Sequence, residues 1–290
     1  MGRLISGFKY AHNELWIERV VKYIVQRQND DGGYAFCQGT DSNAQDTYYA
    51  LATLNLLNAE YPNVKQTIEW LRNFASNNIY AHYYVAKALI LCNSAPQDTL
   101  ERFLPSLMSS EGIFGTLDVY SEVASEFLFT YMATELFRVA KKDVGIKQKI
   151  VNHLCQCMNR NGGFGVHDNS NINSTYHALA SLANLGYPVK SLKKTLSFVR
   201  ACEKPYGGFT LIPNNSSPYM EHVYYGLAAL ELLGERPQYA ENTWRFIMKC
   251  QNANGGFARS EIGISTFENT FYAVSSLRIL NMGGVPPYEY

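Results

Sequence analysis

The sequence predicts an all-α protein: six helical hairpins closed into an α6/α6 double ring around a central apolar lumen. Three observations predict it. A glycine-pair motif recurs along the chain. Each copy is preceded by an amphipathic stretch with one wet face, and followed by a helix-length stretch that is small or apolar on every face.

The motif reads Gln28-Asn29-Asp30-Asp31-Gly32-Gly33-Tyr34, then Met158-Asn159-Arg160-Asn161-Gly162-Gly163-Phe164, then Gln251-Asn252-Ala253-Asn254-Gly255-Gly256-Phe257. Pro205-Tyr206-Gly207-Gly208-Phe209 is a shorter copy and Ser110-Glu111-Gly112-Ile113-Phe114-Gly115 a degraded one. Gly163, Gly208 and Gly256 are 45 and 48 residues apart, and Gly112 lies 50 before Gly162. The 79 residues from Gly33 to Gly112 leave room for one more unit without its motif. Amphipathic outer helices are predicted near 13–28, 64–77, 97–109, 145–158, 190–202 and 238–250, and buried inner helices near 44–58, 79–93, 121–140, 171–185, 219–233 and 266–281. The glycine pairs supply the sharp turns between them. An open solenoid is the alternative. Short turns, small inner residues and a count of six favour closure, with residues 1–290 forming one domain.

Composition narrows the function. The 290 residues are 47% hydrophobic and 17% charged, with 25 Lys+Arg against 25 Asp+Glu, a net charge of zero. A chain without a basic excess is a poor nucleic-acid binder. The 21 Tyr, 15 Phe and 3 Trp point to a large apolar interior or cavity rather than to disorder. No signal peptide is visible and no apolar run reaches the length of a transmembrane helix. Six scattered cysteines read as reduced thiols, so a cytoplasmic location is expected.

The Gln-x-x-x-Gly-Gly-Phe/Tyr motif followed by Thr-Tyr-x-Ala-Leu resembles the prenyltransferase and squalene-cyclase repeat, shared by protein prenyltransferase β subunits and class II terpene cyclases. The resemblance implies an α6/α6 toroid with a funnel-shaped lumen and an isoprenoid substrate. Both familiar chemistries lack residues here. Where the protein prenyltransferases carry Asp-x-Cys-Tyr, this chain has Glu221-His222-Val223-Tyr224, and Asn269 stands where they place a His. That set cannot hold zinc. The loop after the fifth motif, Thr210–Ser217, has no Lys or Arg for a diphosphate. Against the cyclase Asp-x-Asp-Asp-Thr, the chain reads Asn43-Ala44-Gln45-Asp46-Thr47, with Gln45 in place of the proton donor.

Aligned on the Thr-Tyr step, the inner helices begin with Gln45/Asp46, Tyr80/Ala81, Phe127/Leu128, Asn173/Ser174, Glu221/His222 and Glu268/Asn269. Parallel inner helices bring these pairs to one end of a lumen. Glu221, Glu268 and Asp46 are the candidate catalytic acids, with His222 as an acid–base partner. Glu122 and Glu126 lie about one turn away on the third helix. Gln45, Tyr48, Tyr83, Phe127, Tyr176, Tyr224, Phe271 and Asn269 are the candidate substrate-binding residues, since aromatic faces stabilise cations. Acids at helix starts are also ordinary caps, which is the structural alternative for Asp46 and Glu268. A metal cluster of His82, His177, Glu221 and Glu268 has no supporting spacing motif, and Cys155-x-Cys157 reads as packing, so no metal is expected. No cofactor is expected either, except Mg²⁺ if the substrate is a diphosphate. The favoured reading is a terpene-cyclase-like enzyme that protonates an isoprenoid. The alternatives are a zinc-less prenyltransferase β-like module that binds a prenyl chain or a partner, and a carbohydrate-active α/α toroid. A protein partner or a homo-oligomer stays open.

Overall fold

The glycine motifs fold into one hydrogen-bonded turn, repeated in the same register. In the computed structural model, which describes residues 15–76, 79–96, 126–142 and 145–281, Asn159 N–H donates to Gly163 O and Gly162 N–H to Asn159 O, both at 2.9 Å. The same pair of bonds joins Asn29 to Gly33 and Gly32, Lys204 to Gly208 and Gly207, and Asn252 to Gly256 and Gly255. Side chains complete the turn. Asn161 Oδ1 accepts from Gly163 N–H at 3.0 Å and from the Ser170 hydroxyl at 2.8 Å. Asp31 with Ser42, and Asn254 with Ser265, repeat this. The first glycine is required because φ is +87° at Gly162, where a Cβ would also meet the Lys194 backbone. The second is required because a Cβ on Gly163 would come within 2.6 Å of the Ser170 Cβ.

The threonine of the Thr-Tyr step locks each turn to the following inner helix. Thr47 Oγ1 accepts from Tyr34 N–H, Thr175 from Phe164 N–H and Thr270 from Phe257 N–H, each at 3.0 Å. Each of these hydroxyls donates one turn back to a main-chain carbonyl. The motif aromatics Tyr34, Phe164, Phe209 and Phe257 are fully buried, each contributing about 1.5–3 kcal/mol.

The described residues form eleven α-helices and isolated bridges, with no strand. The helices are α1 Leu15–Val25, α2 Ala44–Leu56, α3 Val64–Asn73, α4 Ile79–Leu91, α5 Glu126–Val139, α6 Lys147–Gln156, α7 Ile172–Asn184, α8 Lys193–Cys202, α9 Met220–Leu232, α10 Ala240–Lys249 and α11 Phe267–Asn281. Inner and outer characters fall as expected. On α2 and α7 nearly every residue of the first three turns is buried, whereas α1 buries only Val20, Tyr23 and Ile24. α1, α3, α6 and α10 end one to four residues before their predicted ends and α8 ends at residue 202 as predicted; after α1, α6 and α10 the first motif residue leaves the helix. Gln28 pairs with Tyr34, Met158 with Phe164 and Gln251 with Phe257 across the turn. The outer helix predicted near 97–109, the degraded motif at 110–115 and Glu122 lie outside the described residues.

The chain forms two compact units, Met1–Pro96 with Thr243–Tyr290, and Gln97–Asn242. In the first, α2 packs between α4 and α11. The first helix meets the last glycine turn. Arg19 Nη2 donates to Asn252 O at 2.8 Å, Gln251 Nε2 to Trp16 O at 3.2 Å and the Tyr23 hydroxyl to Ser265 O at 3.1 Å. An open solenoid would leave its first and last repeats apart. In the second unit, α7 packs between α5 and α9. There Glu203 stands where the other motifs have Gln or Met. Its buried carboxylate accepts from Gln238 N–H at 2.6 Å and Tyr239 N–H at 3.0 Å, and pairs with Arg200 at 2.9 Å.

Candidate functional site

Two residues after the threonine position (Thr47 on α2, His82 on α4, Thr270 on α11), the inner helices of the first unit each carry a tyrosine: Tyr49, Tyr84 and Tyr272. Because α2 packs between the other two, the three hydroxyls converge. The Tyr49 hydroxyl lies 3.3 Å from those of Tyr84 and Tyr272. Glu268 sits one turn before Tyr272 on α11, where i and i+4 side chains meet. Its Oε1 accepts from the Tyr272 hydroxyl at 3.0 Å and the Tyr49 hydroxyl at 3.3 Å. Tyr48 and Phe271 complete the wall, with ring centroids 6.1 Å apart, and Phe271 lies 5.3 Å from Tyr49. Glu268 is half-buried among rings that are nearly all buried. Burial pushes the Tyr80 phenol up to about 12, and the Glu268 carboxylate adds to that shift.

The same step in the second unit gives Tyr131, His177 and Tyr225. His177 stacks on Tyr131 at 5.6 Å and meets Tyr225 edge-on at 4.9 Å. Tyr176 stacks on Tyr225 at 5.0 Å and lies 5.8 Å from Tyr224. Burial drives the His177 imidazole down to about 3, so it is neutral at physiological pH. Its Nδ1 finds no hydrogen-bond partner among the described residues. Glu221 and His222 are helix neighbours, yet Glu221 Oε1 comes within 3.6 Å of His222 Nε2. His222 itself is buried edge-on against Tyr219.

The structure gathers Glu268, Tyr48 and Phe271 in one cluster, with Tyr83 edge-on to Tyr84 beside it. It gathers Tyr176 and Tyr224 in the other. Two candidates, Asp46 and Asn269, serve the caps. Asp46 Oδ2 accepts from Asn43 Nδ2 at 2.8 Å and Phe36 N–H at 3.1 Å, while Asp46 N–H donates back to Asn43 Oδ1. Burial raises its carboxyl, and those hydrogen bonds oppose the rise. Asn269 donates from N–H and Nδ2 to Thr266 Oγ1. Gln45 is exposed beside that capping pair on α2. Phe127 is fully buried in α5, and Val223 is fully buried in α9. Of the conceived metal cluster, His82 and Glu268 belong to one unit and His177 and Glu221 to the other.

The candidate binding residues do not include Tyr49 and Tyr272, whose hydroxyls hold Glu268, or Tyr84, whose hydroxyl meets that of Tyr49. The signal was present: a polar aromatic recurs two residues after the reference position on every inner helix, as Tyr49, Tyr84, Tyr131, His177, Tyr225 and Tyr272.

The sequence profile of the prenyltransferase alpha-alpha toroid domain matches residues 4–79, 72–165 and 116–289. Among solved structures, the chain is similar to Candida albicans protein geranylgeranyltransferase-I complexed with GGPP, with a TM-score of 0.73, 19% identity and 93% of each chain covered. It is also similar to the apo type II terpene cyclase MstE from Scytonema, with a TM-score of 0.60, 13% identity, and 92% of this chain and 96% of that one covered. A variant of MstE in complex with geranylgeranyl dihydroxybenzoate matches with a TM-score of 0.57 and 12% identity over the same shares. No protein of curated function matches the sequence.

Proposed function

The chain belongs to the prenyltransferase alpha-alpha toroid domain family, and from that premise we propose that it is a terpene-cyclase-like enzyme that protonates an isoprenoid, with Glu268 as the acid. The observation that carries the reading is the Glu268 carboxyl with two tyrosine hydroxyls on one oxygen and aromatic rings around it. Two donors on Oε1 stabilise the carboxylate left after proton transfer, which strengthens the acid at the moment of reaction. The Oε2 proton passes to an alkene carbon of the substrate. A C–H bond forms, and the π electrons leave a tertiary cation on the adjacent carbon. A second alkene attacks that cation and closes a ring. Loss of a proton to water ends the sequence, so the reaction is an isomerisation without redox change. Tyr48, Tyr83 and Phe271, in the same unit as Glu268, offer π faces to the cation and the folded chain.

Among the acids, Glu268 ranks ahead of Asp46, whose carboxylate is taken up by Asn43 and Phe36, and of Glu221, which faces His222. A chain of geranylgeranyl size is the substrate class of choice, because both neighbours with bound groups carry one.

A prenyl-binding β-like module is the second reading. It is favoured by the higher TM-score to the geranylgeranyltransferase, 0.73 against 0.60. Incubation with geranylgeranyl diphosphate, geranylgeraniol and squalene, followed by product analysis, separates the two. A cyclised isomer made by the wild type and lost in Glu268→Gln supports the enzyme. Thermal stabilisation by a prenyl compound without turnover supports the module. Neither product nor stabilisation overturns both.

A further inference from the structure

Outside the two aromatic clusters, three chemically different donors meet in the second unit. Glu126 stands in the first turn of α5. His153 and Cys157 stand at the end of α6, four residues apart and therefore on one face, with Cys157 as the C-cap. Glu126 Oε1 lies 3.6 Å from His153 Nε2, His153 Nε2 lies 3.7 Å from Cys157 Sγ, and Cys157 Sγ lies 3.9 Å from the same Glu126 oxygen. The same three atoms thus form a nearly equilateral triangle. These are weak sulfur and ion-pair contacts, and the three donor atoms lie close enough to share one ion.

That triangle has the dimensions of a metal site. Zinc binds sulfur at about 2.3 Å, imidazole nitrogen at about 2.0–2.1 Å and carboxylate oxygen at about 2.0–2.2 Å, and tetrahedral angles then space these donors about 3.4–3.6 Å apart. The observed edges exceed that spacing by at most a few tenths of an ångström, within reach of a small rotamer adjustment. The donor set is also right. A thiol, an imidazole and one carboxylate suit a borderline-soft ion and not calcium or magnesium. The C-terminal end of α6 adds a favourable partial negative charge. His153 and Glu126 are 31% and 36% exposed, so both the ion and a water can enter.

We propose that Glu126, His153 and Cys157 form a zinc site, with water as the fourth ligand, that ties the start of α5 to the end of α6. It does not depend on what the aromatic clusters bind. On binding, Cys157 loses its proton to solvent and the Zn–S bond forms. Cys155 supplies an internal control, because its thiol interacts with the Tyr187 hydroxyl instead.

Metal-free full-length protein is titrated with Co²⁺ and then with Zn²⁺ against a chromophoric chelator. The expected result is one equivalent of Co²⁺, a thiolate-to-cobalt charge-transfer band with tetrahedral d–d bands, and displacement by Zn²⁺. Cys157→Ser removes the charge-transfer band. His153→Ala and Glu126→Gln weaken Zn²⁺ at least about 10–100-fold, the range seen when only an outer partner of a metal site is lost. Cys155→Ser keeps the full spectrum. Circular dichroism checks that each variant is folded, and the wild-type titration decides the matter even if Cys157→Ser does not fold. No stoichiometric thiolate–cobalt band in the wild type, or a band that survives Cys157→Ser and disappears in Cys155→Ser, overturns the proposal.

Discussion

The aromatic cluster of the first unit and that of the second are built from the same step of the same repeat, yet they offer different chemistry. In the first, Tyr49, Tyr84 and Tyr272 bring their hydroxyls together and two of them hold the Glu268 carboxyl. In the second, the equivalent positions are Tyr131, His177 and Tyr225, and the imidazole is buried, neutral and held by ring contacts. The framework beneath them is shared: the Thr47 and Thr175 hydroxyls make the same two bonds in the two units. The glycine turn and its threonine set position, while the residues two before and two after that threonine set which polar groups meet. One cluster holds a carboxyl among hydroxyls. The other is a neutral aromatic surface.

The largest expected effect tests that division directly. Glu268→Gln should lower turnover by at least about 100-fold, the usual worth of a positioned acid, while Glu221→Gln keeps most of it. Equal losses in the two variants would erase the contrast between the units. Next come the phenols. Tyr272→Phe or Tyr49→Phe removes one hydrogen bond to a charged group, worth about 1.5–3 kcal/mol, so kcat should fall about 10–100-fold. Tyr225→Phe should change kcat little.

The third prediction concerns pH. His177 folds as a neutral imidazole with its pKa lowered to about 3, against about 6.5 when unfolded. The unfolded chain therefore binds the extra proton. Stability is complete above about pH 6.5 and falls as pH drops toward 3, with a slope of at most about 1.4 kcal/mol per pH unit. Denaturant melts should show that slope reduced in His177→Phe. The smallest effect is a control on the shared framework. Thr47→Val and Thr175→Val each strand a buried N–H donor, and urea titrations should show similar losses of about 1–3 kcal/mol in the two units.

The fold was legible because its glycine pairs have a physical task that other residues cannot perform. At Gly162 the positive φ, and at Gly163 the contact with Ser170, leave no room for a side chain. The all-round burial of α2 and α7 followed from their apolar and small residues. Helix ends were less legible, because Gln28 and Met158 fit a helical pattern but are drawn into the turn by Tyr34 and Phe164. At the site, Glu268, Tyr48 and Phe271 could be named from their level on the inner helices. Tyr49, Tyr84 and Tyr272 were visible as aromatics, but their convergence depends on how α4 and α11 flank α2. Asp46 looked equally acidic in sequence, and its commitment to Asn43 and Phe36 N–H appears only in three dimensions. Glu126 and Cys157, 31 residues apart, carry no local spacing signal at all.

Proton donation by Glu268 can be followed by deuterium labelling. The wild-type enzyme is incubated with geranylgeranyl substrates in deuterium oxide, beside Glu268→Gln, and products are analysed by mass spectrometry. A cyclised isomer carrying one carbon-bound deuterium, formed by the wild type and absent with Glu268→Gln, is the predicted result. Undiminished deuterium incorporation by the variant, or no isomer from the wild type, would contradict the account.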